Sequence, residues 1–63
     1  MKVETAKKIT VKNENGTVAL DRDDDSWYVT YEGEATSNYY TSAKLQEMID
    51  NGDVYGDITF ESK

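Results

Sequence analysis

The 63 residues contain no cysteine and no histidine, and those two absences remove most of the chemistry that a small domain can carry. Without thiols there is no disulfide framework, and without thiolate or imidazole no zinc site of the usual kind can form. Nucleophilic catalysis loses its commonest base, which leaves Ser, Thr and Tyr hydroxyls with no group spaced to activate them. Paired carboxylates acting on a glycosidic bond would need a substrate cleft that a two-layer domain of this size has little room to build. The four glycines stand apart at 16, 33, 52 and 56, so no phosphate-binding loop is present. No hydrophobic run approaches the roughly 18 residues of a membrane span. The opening Met1-Lys2-Val3-Glu4 also lacks the apolar stretch of a signal peptide. Together these absences predict a soluble, cytoplasmic protein that is not an enzyme and needs neither cofactor nor metal.

What is present is acid. Thirteen Asp and Glu against seven Lys and Arg give a formal charge of −6. That field repels phosphate backbones and anionic lipid and steers basic protein surfaces toward the chain. The expected partner is therefore a protein with a basic, DNA-binding surface, and not nucleic acid or a membrane. Acidity also confers solubility with no partner at all, and the sequence leaves that reading open. A chain of this length forms one domain, 1–63, and buries only about 60% of its unfolded surface. Its unaided core supplies about 3–5 kcal/mol. With disulfides and zinc excluded, a homodimer is one route to further stability.

The periodicities predict an α+β domain of two layers: a four-stranded, mainly antiparallel sheet with one helix packed on one face, in the order β-β-β-α-β. Lys8-Ile9-Thr10-Val11-Lys12 and Thr17-Val18-Ala19-Leu20 alternate polar and apolar, and Asn15-Gly16 between them tolerates positive φ at a hairpin turn. Asp23-Asp24-Asp25-Ser26 reads as a polar turn. Trp27 to Glu32 is an aromatic and β-branched strand ending at Gly33, with Trp27, Val29 and Tyr31 on one face. Glu34 to Asn38, small and polar, reads as a loop. A helix over about 42–51 follows, capped by Thr41 or Ser42 and stopped by Asn51-Gly52, with Leu45, Met48 and Ile49 on one face. The last strand runs from about Val54 to Glu61. The expected core is Ile9, Val11, Val18, Leu20, Val29, Leu45, Ile49, Ile58 and Phe60. The other sheet face is left to Thr, acids and tyrosines, with Tyr28 on the third strand and Tyr55 near the start of the fourth; exposed tyrosines of that kind mark contact surfaces.

Asp21, Asp23, Asp25 and Glu32 match calcium-loop positions 1, 3, 5 and 12, but Ser26 stands where such loops need Gly, and both flanks read as strands in place of helices. The acids otherwise gather in three stretches: Asp23 to Asp25, Glu32 with Glu34, and Glu47 with Asp50 and Asp53. Tyr39-Tyr40 precedes the helix, where one ring could staple its entry to the core and the other meet a partner. Asp24, Glu32, Glu34, Tyr39, Tyr40 and Glu47 are the residues expected at a partner interface.

The acidic turn Asp23-Asp24-Asp25, the aromatic strand Trp27-Tyr28-Val29-Thr30-Tyr31 closing at Gly33, the single amphipathic helix and the final strand resemble the small acidic uracil-DNA glycosylase inhibitors of φ29-like phages. The resemblance covers roughly the last two-thirds of the chain and is one of pattern; the helix and the loop after it are longer here. It implies a phage protein acting in the host cytoplasm, a homodimeric DNA mimic whose acids stand in for phosphates in the enzyme's DNA groove. It also implies an apolar pocket at the dimer interface, for which Tyr39, Tyr40, Leu45 and Met48 are the nearest residues. The alternative is an interaction or regulatory module that uses the tyrosine-rich sheet face without mimicking DNA.

Overall fold

The computed structural model describes residues 3–62. A short 3-10 turn at Val3–Thr5 leads into β1 (Lys8–Asn13), β2 (Gly16–Asp23), β3 (Ser26–Tyr31), β4 (Glu34–Thr41), the helix α1 (Ser42–Asp50) and β5 (Asp57–Glu61). The fold is α+β, and its sheet has five strands in the order β4-β3-β2-β1-β5, all paired antiparallel. The first four form a meander. The chain then leaves one edge of the sheet at β4, crosses a face as α1 and adds β5 to the opposite edge.

The additional strand, β4, lies where a loop was expected. Residues 34–38 begin β4, whose residues are all exposed except the half-buried Tyr40. An edge strand packed on neither face for most of its length carries no apolar alternation, which is why its sequence reads as loop. It is also irregular: between the pairs Tyr28↔Tyr39 and Thr30↔Ala35, Val29 alone faces Thr36, Ser37 and Asn38. The hydroxyl of Thr36 stabilises this bulge by donating to the Val29 carbonyl at 2.9 Å and accepting from the Asn38 N–H at 3.2 Å.

Two turns also differ in detail. The first hairpin turns at Glu14-Asn15, one residue earlier than the Asn-Gly pair suggested, because the Asn13 side chain accepts from the Asn15 N–H at 2.8 Å and Gly16 already pairs with Asn13. Positive φ at both central positions occurs instead at Glu32 (+50°) and Gly33 (+85°), between the paired Tyr31 and Glu34. β5 begins at Asp57, so Val54 and Tyr55 lie in the loop before it.

The helix follows its signals closely. Thr41 Oγ1 accepts from the Lys44 N–H at 3.2 Å, and Gly52 turns left-handed at φ +77°. There the Asp53 and Gly52 N–H groups bond the Met48 and Ile49 carbonyls, at 2.8 and 3.2 Å, closing the helix end in a Schellman motif.

Val3, Ala6, Ile9, Val11, Leu20, Trp27 and Leu45 are buried. Val18, Val29, Tyr40, Ile49, Val54, Ile58 and Phe60 pack against them, only half-buried. The expected core is therefore right in kind and too generous in depth at Val18, Val29, Ile49, Ile58 and Phe60, and it omitted Val3, Ala6 and Trp27. Geometry accounts for the shortfall. Nine helical residues span about 13 Å, whereas five strands at about 4.8 Å spacing make a sheet some 19 Å wide. Trp27, fully buried, anchors the best-covered corner: its indole N–H donates to Ser42 Oγ at 2.9 Å, and the Arg22 guanidinium lies over its ring at 5.6 Å.

Candidate partner-binding surface

A meander puts its first and third turns at one end of the sheet. Here the hairpin end holds Glu14 in the first turn, Glu32 and Glu34 around the third, Asp57 at the start of β5 and Asp53 in the loop leading to it. The turns are bonded together. The Glu32 carboxylate accepts from the Thr17 N–H at 3.1 Å, and the Tyr31 hydroxyl donates to the Asn15 carbonyl. A Cβ on Gly16 would collide with that same carboxylate, so glycine is needed there for space as well as for its φ of +138°. Asn13 extends the tie to the last loop, its amide donating to the Tyr55 carbonyl at 2.9 Å.

All five of these acids are exposed, and Lys12 is the one base on the strands at this end. Among the described residues the two ion pairs lie elsewhere, Lys8–Asp21 at 3.9 Å and Lys44–Glu47 at 3.5 Å. Beside the acids the uncovered part of the inner sheet face forms an open apolar cleft of about 320 Å³, with Val18, Val29, Tyr40, Met48, Ile49 and Val54 in its walls and Asp53 on its lining. The arrangement offers apolar contact with one carboxylate, Asp53, on its lining and four more acids at the same end of the sheet.

The expected interface residues are divided by the fold. Glu32 and Glu34 belong to the hairpin end. Asp24 lies in the β2–β3 turn at the opposite end, with φ +58°, its carbonyl accepting from Arg22 Nε at 2.7 Å. That separation also breaks the calcium-loop spacing, since Asp21 to Asp25 and Glu32 stand at opposite ends of β3. Glu47 is exposed on α1, beside Lys44. Tyr39 and Tyr40 point to opposite faces: Tyr40 pairs with the buried Trp27 and lines the cleft, whereas Tyr39 is 63% exposed on the outer face. There it meets Tyr28, their ring centroids 6.1 Å apart, on a face shared with Thr10, Ala19, Thr30 and Ala35 that no helix among the described residues covers. Glu14, Asp53 and Asp57, which the fold sets at the same end as Glu32 and Glu34, were not among the residues expected at an interface; the alternation of meander turns would have placed Glu14 beside Glu32 once β4 was read as a strand.

The described residues include no helix long and apolar enough to cross a membrane. No family model matches the chain, and no curated protein or solved structure matches it either.

Proposed function

We propose that the chain is a protein-binding inhibitor that acts as a DNA mimic, setting the carboxylates of its hairpin end into the basic groove of a DNA-binding enzyme such as host uracil-DNA glycosylase. One observation carries this reading: five exposed acids share one end of the sheet, whose strands carry a single lysine there, and one of them, Asp53, lines an apolar cleft. Unpaired carboxylates raise the rate of encounter with a basic groove. The cleft supplies the desolvated contact that slows release.

The test is inhibition of uracil excision, with binding kinetics on variants at the two ends of the sheet. Replacing Glu14, Glu32 and Glu34 together by Gln should slow association markedly, while replacing Asp23, Asp24 and Asp25 by Asn should not. A parent protein that leaves uracil excision untouched ends the proposal for that enzyme. Equal association rates for the two triple variants end the assignment of the surface.

A second reading, an interaction module without DNA mimicry, rests on the Tyr28–Tyr39 pair and the open face around it. Under that reading Tyr39→Ala raises the dissociation rate of the partner, and the triple Gln variant binds as the parent does.

A further inference from the structure

The two edges of the sheet are built differently. β4 is blunted by its three-residue bulge, a device by which natural edges refuse another strand. β5, on the other side, has no register shift against β1, no lysine and no proline, and it is paired on one side only. Its side chains alternate: Asp57, Thr59 and Glu61 are exposed, and Ile58 and Phe60 are half-buried on the inner face.

The strand that β5 already accepts shows what this pattern selects. In β1 every position complements its partner: Lys8↔Glu61, Ile9↔Phe60, Thr10↔Thr59, Val11↔Ile58 and Lys12↔Asp57. Opposite charges face each other at both ends, apolar residues meet on the inner face, and threonines meet at the centre. A strand arriving at the vacant edge meets the same five side chains. A second copy of β5 is a poor occupant, because antiparallel self-pairing about Thr59 sets Asp57 of each copy against Glu61 of the other, and like charges placed directly opposite are destabilising.

We infer that the free edge of β5 is a strand-addition site for an extended segment of a partner protein. The segment carries Lys or Arg four residues apart, with two apolar residues between them at alternate positions. Main-chain hydrogen bonds hold it, Asp57 and Glu61 set its register through the basic residues, and Ile58 and Phe60 extend the apolar layer onto it. This site shares Asp57 with the hairpin end, but its other register-setting acid, Glu61, lies at the far end of the sheet, away from the cleft and turns.

The probe is a synthetic peptide with the sequence of residues 7–13, titrated into the intact protein and followed by amide chemical shifts. Shifts concentrated on β5 support the proposal; shifts confined to β4 or to the hairpin end overturn it. Exchanging both outer-face lysines of the peptide for Glu should weaken binding about tenfold or more. Two further peptides, N-methylated at alternate residues along one edge or the other, separate strand pairing from plain charge attraction. One form should lose binding and the other keep it, because a strand pairs through one edge at a time. Equal binding by both overturns the site. Glu61→Gln in the protein should weaken the parent peptide while leaving inhibition of uracil excision as it was, so this inference and the proposed function fail separately.

Discussion

The two ends of the sheet hold similar numbers of acids and use them in opposite ways. At the end where the helix begins, Arg22, the one arginine of the chain, binds no carboxylate. Its Nη1 donates to the carbonyls of Glu4 and Ala6 at 2.8 and 3.1 Å, its Nε donates to Asp24, and its plane covers Trp27. One side chain thus ties the first turn of the chain, the β2–β3 turn and the core together, and Lys7 and Lys8 stand nearby on the same end. At the hairpin end the ties are a tyrosine hydroxyl, an asparagine amide and one carboxylate on a backbone N–H. The carboxylates of the remaining acids there make no hydrogen bond or ion pair among the described residues. The contrast teaches where stability and where contact are to be sought: the cation-rich end closes the core, and the cation-poor end is left to solvent or a partner.

Substitutions can break that division. The largest effect is expected from Trp27→Ala, which empties a fully buried site and should cost about 3–5 kcal/mol. A domain with so thin a core should then be largely unfolded by circular dichroism at room temperature. Arg22→Met keeps the aliphatic bulk and strands three carbonyls, and should cost about 1–3 kcal/mol in denaturant unfolding. A negligible cost would mean that the arginine is ornamental and the two ends are alike. Ile49→Ala, in the half-buried wall of the cleft, should cost about 1–2 kcal/mol, below the range for fully enclosed isoleucines. A larger loss would show the cleft to be closed in solution. The smallest effect belongs to Glu14→Gln, Glu34→Gln and Asp53→Asn, each expected to shift stability by no more than about 0.5 kcal/mol. If any of them unfolds the domain, the hairpin end is structural after all.

Much of this was legible in the sequence, for reasons that differ by element. The helix was readable because cap, periodicity and stop agree, and each is visible in the fold as the Thr41 hydroxyl, the Leu45 face and the Gly52 turn. Strands β1 to β3 were readable because one face is buried and the other is not. β4 was hidden by having almost nothing buried, and its bulge depends on a threonine hydroxyl that no alternation pattern records. The depth of the core was overestimated because periodicity says which face a residue takes and not how far the covering helix extends. Trp27 was assigned to the right face, but its burial depends on Ser42 and Arg22, which come from elsewhere in the chain. For the candidate interface, charge was legible and location was not, since Asp24, Glu32 and Glu47 look equivalent in sequence and only the fold sets the first two at opposite ends of the sheet and the third on the helix.

The shortage of cations at the hairpin end should make ionic strength act with opposite signs on folding and on the proposed association. Like charges gathered at that end of the sheet repel one another, and no ion pair among the described residues there is lost on screening. Raising salt shortens the reach of that repulsion to about 8 Å at physiological concentration and less beyond it, so the native state should gain stability. Under the proposed function the same screening weakens the pull on a basic partner. A brine that protects the fold would then be one that disarms the proposed inhibitor, and the protein should be easiest to store under conditions in which that binding is weakest.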